Sequence, residues 1–270
     1  TEEVKRNGNN GVVVQADNNI LERAIPDLRW DGWWNYGGII REVELIRRPN
    51  FHTTDAIIET RQDKDGNWML DILLNSHNYG EVKQGMFRAT VENSQGEEIW
   101  SGVSRQQVSV GRTQYHFAAN LDMVESWSPD SPTLYDLKIV TTSPETNIQH
   151  EKDIRFGFRE IETKGTQILL NGEPLQIRGI SRHEMYPEFG MSLSLKQLKS
   201  DLTDIKELGC NMIRTAHYAQ DPRLYDLADE MGLLLWTEIP AWKTDTDVLT
   251  DPEVWRKYGQ PQLRELVENF

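Results

Sequence analysis

Residues 177–242 read IRGISRHEMYPEFGMSLSLKQLKSDLTDIKELGCNMIRTAHYAQDPRLYDLADEMGLLLWTEIPAW. The stretch repeats one pattern three times: an apolar strand, a polar tip, then an amphipathic helix. Strands are expected at Ile177–Ile180, Met212–Thr215 and Leu233–Trp236. Their tips are Arg182-His183-Glu184, Arg214-Thr215-Ala216-His217-Tyr218 and Thr237-Glu238-Ile239-Pro240. Ser194, with Gln197 three residues on, is a capping box opening a helix whose inner face is Leu195, Leu198, Leu202, Ile205 and Leu208. Gly209 ends it. Asp221-Pro222 places an N-cap before a proline at the first helical position. Leu224, Leu227, Ala228 and Met231 form the next inner face, which Gly232 closes. Parallel strands alternating with helices, with ionisable groups at their C-terminal ends, read as part of a (β/α)8 TIM barrel, a fold that carries its chemistry at that end.

Only three such strands are present. A full barrel needs eight, in about 250 residues. Asp251-Pro252 opens one more helical stretch, interrupted near Gly259-Gln260-Pro261 and continued by Leu263, Leu266, Val267 and Phe270. Three strands alone would leave a helix face and a parallel edge uncovered. Together with an N-terminus that begins in polar residues, this leads to the expectation of a piece of a longer protein, cut at both ends.

Upstream the period changes to that of β structure. Asn171-Gly172, between Ile168–Leu170 and Leu175–Ile177, signals a hairpin. Residues 50–157 hold seven strand candidates: Ala56–Thr60, Trp68–Leu74, Met86–Val91, Gln107–Val110, Tyr115–Ala118, Leu134–Val140 and Ile154–Phe158. Turn residues separate them (Asp65-Gly66-Asn67, Asn93 to Gly96, Ser128 to Pro132), and the spacing suggests an immunoglobulin-like β-sandwich. Residues 1–49 add two strand candidates, Val12–Val14 and the alternating Ile39–Ile46, around an aromatic loop from Trp30 to Gly38. Two strands close no sandwich, so this segment reads as the end of a larger β domain. The expected division is therefore 1–49, 50–157 and 158–270.

The 270 residues carry a formal net charge of -14. No Lys/Arg stripe offers a phosphate track, which argues against nucleic acid as a partner. No segment approaches the ~20 apolar residues of a membrane span. Cys210 is the single cysteine; it excludes an intrachain disulfide and a cysteine-built zinc site, and its setting between Gly209 and Asn211 is that of a small core filler.

His183, His217 and Glu238 follow three successive strands and would be rim neighbours in a barrel. Two imidazoles beside a carboxylate can bind a metal, work in acid–base chemistry, or hydrogen-bond a hydroxylated ligand. Each histidine can equally serve as a loop cap. Arg214, within a strand, is expected to point inward and form a buried ion pair with a carboxylate. Arg182 precedes the first tip. Glu184 and Glu188 are expected to be partly solvated. Trp242 suits either stacking on a sugar ring or plugging a loop. Asp31, set among Trp30, Trp33, Trp34 and Tyr36, suits sugar hydroxyls, while its aromatic neighbours could also seal an interdomain joint.

Six segments in order resemble glycoside hydrolase family 2, the family of β-galactosidases, β-glucuronidases and β-mannosidases, and most of all its bacterial β-galactosidases. WDGWWNYGGIIREVEL resembles the end of the family's sugar-binding jelly roll. WSPDSPTLYDL and IRFGFREIE resemble the last strands of its immunoglobulin-like domain and the joint to the barrel. NGEPLQIRGISRHE, LGCNMIRTAHY and YDLADEMGLLLWTEIP resemble the first three barrel strands. The resemblance implies a retaining exo-β-glycosidase with a carbohydrate substrate, no cofactor, and two catalytic glutamates on later strands that this chain lacks. It assigns Asp31, His183 and His217 to sugar contact, and Arg214 and Glu238 to the pocket floor. The magnesium ligands of large β-galactosidases would fall at Trp242 and Thr244, so that metal site is not expected. Ala219 stands where the family usually has proline. A non-catalytic carbohydrate-binding or scaffold protein of the same ancestry is the alternative, and a homo-oligomer of the full-length protein stays open.

Overall fold

The computed structural model describes residues 8–19, 21, 23–27, 32–34, 36–80, 82–146 and 148–269. Seven antiparallel strands build the sandwich: β1 (Phe51–Gln62), β2 (Trp68–Asn78), β3 (Gln84–Glu92), β4 (Glu98–Gln107), β5 (Gly111–Leu121), β6 (Tyr135–Ser143) and β7 (Ile148–Phe156). They form one sheet in the order β1-β2-β5 and a second in the order β4-β3-β6-β7. Alternation decides which side chains face inward. Trp68, Leu70, Ile72 and Leu74 of β2 meet Phe87, Ala89 and Val91 of β3 and Leu137 and Ile139 of β6 in one core. The strand expected at Gln107–Val110 is not there; Val108–Val110 connects β4 to β5. The strand that does form, β4, escapes the sequence reading because it is an edge strand, mostly exposed, with few apolar residues to mark a period.

The two strands expected near the N-terminus also do not form. Val12–Val14 and Ile39–Ile46 make no ladder, and their apolar side chains are largely exposed. A strand is defined by a hydrogen-bonded neighbour, and no described segment pairs with either run. The segment instead lies as a strap along the C-terminal half of the chain. Ile25 packs against Val248 and Val254, and Arg23 pairs with Asp247 at 2.8 Å and Asp251 at 2.7 Å.

After the sandwich comes a three-stranded meander of β8 (Ile161–Lys164), β9 (Gln167–Leu170) and β10 (Glu173–Pro174). Leu170 faces Glu173 across the two-residue turn. Asn171 (φ 53°) and Gly172 (φ 80°) supply the two left-handed residues that such a hairpin requires. The second arm is shorter than expected, although beyond Pro174 the Leu175 N–H still donates to the Ile168 carbonyl at 2.8 Å.

The parallel sheet follows, with β11 (Gly179–Arg182), β12 (Met212–Thr215) and β13 (Leu234–Thr237) in that order. α1 (Leu195–Glu207) connects the first two and α2 (Pro222–Met231) the last two. Ser194 and Gln197 form the reciprocal capping box, and Asp221 caps α2 with Pro222 behind it. Leu198, Leu202, Ile213, Leu224, Leu227 and Leu233 make the core between helices and sheet, with Cys210 packed at its margin. Ser181, Arg214 and Trp236 are in register on the opposite face. That face is open, with Trp236 58% exposed, so β13 is not covered on both sides. Two short helices, α3 (Thr246–Leu249) and α4 (Pro252–Val254), lead into α5 (Gln260–Asn269) through a π turn at Trp255–Gly259, where the sequence signals an interruption.

The sandwich and the parallel unit share a rigid joint. Trp127 is fully buried. Its indole N–H donates to the Asp229 carbonyl of α2 at 2.8 Å, and the Arg159 guanidinium lies 5.3 Å above its ring. Gly232, the left-handed cap of α2, runs against Pro129; a Cβ there would stand 2.3 Å from the Pro129 carbonyl oxygen.

Candidate functional site at the strand tips

Arg182, Thr215 and Thr237 end their strands in register. The residues just beyond, His183, His217 and Glu238, are therefore brought together although 34 and 21 residues separate them in sequence. The His183 and His217 rings meet edge to face at 5.2 Å. The Ala216–His217 peptide is cis.

Glu238 is the anchor of the group. Arg214, from the open face of β12, donates Nε to Oε1 at 2.6 Å and Nη2 to Oε2 at 3.1 Å. His217 Nδ1 lies 3.1 Å from Oε2 and 3.1 Å from Arg214 Nη2. A proton on Nδ1, donated to the carboxylate, satisfies all three groups, because Arg214 Nη2 already has Oε2 as its acceptor. With Nδ1 engaged in this way, Nε2 is the ring nitrogen left for other contacts. Burial alone would raise the Glu238 carboxyl, but hydrogen bonds from Arg214 and His217 outweigh it and hold it below its ordinary value. Held in its ionised form and accepting three hydrogen bonds, this carboxylate is a poor proton donor. Among the described residues, no group of three His, Cys, Asp or Glu has the geometry of a metal site.

Burial, and then the neighbouring His217 and Arg214, lower the His183 pKa from its ordinary value. Its Nδ1 is buried and has no hydrogen-bond partner among the described residues. Aromatic rings enclose the pair. Trp242 stacks on His217 at 4.3 Å with planes 6° apart, and Lys243 Nζ lies 4.5 Å from a Trp242 ring. Trp33, from the strap, reaches His217, Tyr218 and Trp242 at 6.1, 5.4 and 6.3 Å. Trp242 thus spends a face on His217, in packing.

Other expected residues lie elsewhere. Asp31 falls outside the described residues; its neighbour Gly32 presses on Trp242 so closely that a Cβ would come within 2.5 Å of the ring. Arg182 does not join the rim. It sits on the helix side of β11, buried, donating to Asp201 at 2.7 and 3.0 Å and to Gln220 at 2.6 Å. The Arg214 pair forms as expected but is not buried: the arginine side chain is 40% exposed. Glu188 is exposed. Glu184 overturns its expectation of partial solvation, with an exposure of 0%. Arg41 of the strap donates to it at 2.5 Å, and the Asp221 N–H reaches both its oxygens at 3.2 and 3.1 Å. Neither Arg41 nor Trp33 carries a local sign of these contacts, because their partners lie over 140 residues away in sequence.

The arrangement suits hydroxyl recognition: two imidazoles set edge to face at the strand tips, a carboxylate behind them, and aromatic rings around them. Comparisons with known proteins show the family. Residues 51–159 match the family described as Glycosyl hydrolases family 2, and residues 161–251 match Glycosyl hydrolases family 2, TIM barrel domain. A putative beta-glucuronidase of Formosa agariphila is 30% identical, over 96% of this chain and 32% of that protein. A beta-galactosidase of Thermoanaerobacterium thermosulfurigenes is 31% identical, over 86% of this chain and 32% of that protein. The crystal structure of a putative beta-galactosidase from Bacteroides fragilis aligns with a TM-score of 0.85 at 25% identity, over 94% of this chain and 38% of the other. The chain spans about a third of the length of the curated relatives it matches.

Proposed function

Because the chain belongs to glycoside hydrolase family 2, we propose that it forms the sugar-binding side of a retaining exo-β-glycosidase whose favoured substrate is a terminal β-galactoside. The observation that carries this reading is the His183–His217–Glu238–Arg214 group at three adjacent strand tips. In a retaining glycosidase one carboxylic acid protonates the glycosidic oxygen, and a second carboxylate, about 5–5.5 Å away, forms the glycosyl-enzyme. Glu238 suits the acid role poorly, since Arg214 and His217 favour its ionised form, and their hydrogen bonds to both of its oxygens blunt it as a nucleophile. Glu184 suits neither role, since it is sealed beneath the rim. The family resemblance puts the two bond-breaking carboxylates on later barrel strands. The family resemblance adds Asp31, next in sequence to Gly32 and Trp33, to the sugar contacts.

A neutral sugar is favoured over a uronic acid on electrostatic grounds. Among the described rim residues, the Arg214 charge is balanced by Glu238 and the Lys243 ammonium lies against Trp242. Glu238 and Trp242 thus compete with a sugar carboxylate for these two cations.

Chromogenic β-galactoside, β-glucuronide and β-mannoside substrates test the reading. The longer protein containing this chain is expected to hydrolyse the galactoside fastest, and the purified 270-residue chain to hydrolyse none. Turnover by the 270-residue chain, with host enzyme rigorously excluded, would place the missing carboxylates within it and sink the proposal. A longer protein that binds galactose and hydrolyses nothing would make the protein a carbohydrate-binding scaffold.

A further inference from the structure

Beneath the rim lies a charged network that the sugar-contacting groups do not use. Glu184 immediately follows His183 and is fully buried. Its own N–H donates to the Tyr218 hydroxyl at 3.2 Å, and Tyr218 immediately follows His217. Its carboxylate accepts the Asp221 N–H, at the start of α2. One residue thus ties the loop bearing the first histidine to the loop bearing the second. The full positive charge that meets this carboxylate at hydrogen-bond distance comes from Arg41, at 2.5 Å. Arg41 also donates to the Met191 carbonyl at 2.8 Å and lies 4.0 Å from Asp221. The next residue of the strap, Glu42, accepts from Arg223 at 2.9 Å, and Arg223 in turn grips Asp221 at 2.6 Å.

Resting on the sugar-binding reading, we infer that Arg41 is a positioning residue: acting through Glu184, it sets the relative placement of His183 and His217 and so couples the N-terminal strap to the sugar rim. The physical basis is the cost of a buried charge. A carboxylate with no exposure and no paired cation must take up a proton or draw its loops apart to reach water. Burial already raises the Glu184 carboxyl above its ordinary value, against the pull of Arg41 and the more distant Arg182, with the nearby Asp221 charge adding to the rise. Removing Arg41 shifts that balance further. A network whose members are all satisfied holds its neighbours in one geometry, and small displacements of sugar-contacting groups are costly.

The test uses the 270-residue chain with Arg41→Gln, Glu184→Gln and the double substitution. NMR signals of the His183 and His217 imidazoles are followed, together with titration of D-galactose. Arg41→Gln is expected to move both imidazole signals and weaken galactose binding by on the order of tenfold. In that variant alone, affinity improves as pH falls, because protonation of Glu184 removes the unpaired charge. Adding Glu184→Gln to Arg41→Gln removes the same charge chemically, and is expected to return the signals toward their original positions and abolish the new pH dependence. A merely structural loss would show neither the recovery nor the pH response. Unmoved imidazole signals in Arg41→Gln, or a double variant as perturbed as the single one, would overturn the inference. If the unaltered chain binds no galactose, the sugar reading fails, and the imidazole signals still decide whether Arg41 positions the pair.

Discussion

The sandwich and the parallel unit bury apolar surface in different ways. In the sandwich, two sheets turn their inner faces on each other, and Phe87, Ile72 and Leu137 are fully enclosed in one core drawn from Phe51 to Phe158. In the parallel unit, α1 and α2 cover one face of the sheet, while Ser181, Arg214 and Trp236 look out from the other. An antiparallel sheet is completed by one partner sheet, whereas a parallel sheet needs cover on both faces. The difference shows that a stretch of chain can fold its elements correctly while its surface still requires more protein.

Each half also carries a histidine cluster, and the surroundings separate them. In the sandwich His52 lies 5.5 Å from His150 and 6.5 Å from His77, with Arg48 and Lys152 nearby and only Glu151 opposing at His150. At the rim His217 is held by a carboxylate. Burial, with cations beside them, makes the sandwich histidines resist protonation; a histidine oriented by a carboxylate presents a defined nitrogen.

The largest expected effect tests the closed core against the open face. Phe87→Ala should cost about 3–5 kcal/mol through lost burial and the cavity left behind. Trp236→Ser should change stability by less than ~0.5 kcal/mol, as for an exposed side chain. Urea denaturation of both variants checks this, and equal costs would mean that the outer face of β13 is covered in solution.

A smaller effect is expected at the joint. Gly232→Ala combines a left-handed backbone (φ 69°) with a Cβ 2.3 Å from the Pro129 oxygen, and should cost ~2 kcal/mol or more. Gly209→Ala, also left-handed (φ 78°) but in open space, should cost only ~1 kcal/mol. If the two variants melt alike, the sandwich and the parallel unit are not pressed together at this point.

The smallest effect is that of pH. The folded-state pKa values of His52 and His150 lie below the ordinary 6.5, chiefly through burial. As pH falls through 6.5 the unfolded chain takes up protons that the folded one refuses, so stability declines from there downward. The Glu238 carboxyl is shifted below its ordinary 4.5, so its contribution is present above that pH and is lost only as pH falls through the folded value. Stability is thus expected to fall between pH 6.5 and 5 while the rim ion pair holds. His150→Gln should flatten that slope. A slope unchanged by His150→Gln would shift the titrating group elsewhere.

The sequence by itself determined the elements whose signals are local. The Ser194–Gln197 capping box, the Asp221-Pro222 start, the Asn171-Gly172 hairpin and the inward apolar sets of β2, β3 and β6 all follow from neighbours within a few residues, where backbone geometry and side-chain period act directly. The strand-tip position of His183, His217 and Glu238 was legible too, because parallel strands of known spacing bring their ends together. What only the tertiary structure decided was direction and partner. Arg182 turned to α1 while Arg214 turned to Glu238, since adjacent strand positions face opposite sides of the sheet. Val12–Val14 and Ile39–Ile46 stayed unpaired, since a strand exists only where another chain segment completes its hydrogen bonds. Glu184 went from an apparent loop residue to a sealed carboxylate, because the charge that makes its burial tolerable, on Arg41, lies 143 residues away and is brought to it by the fold alone.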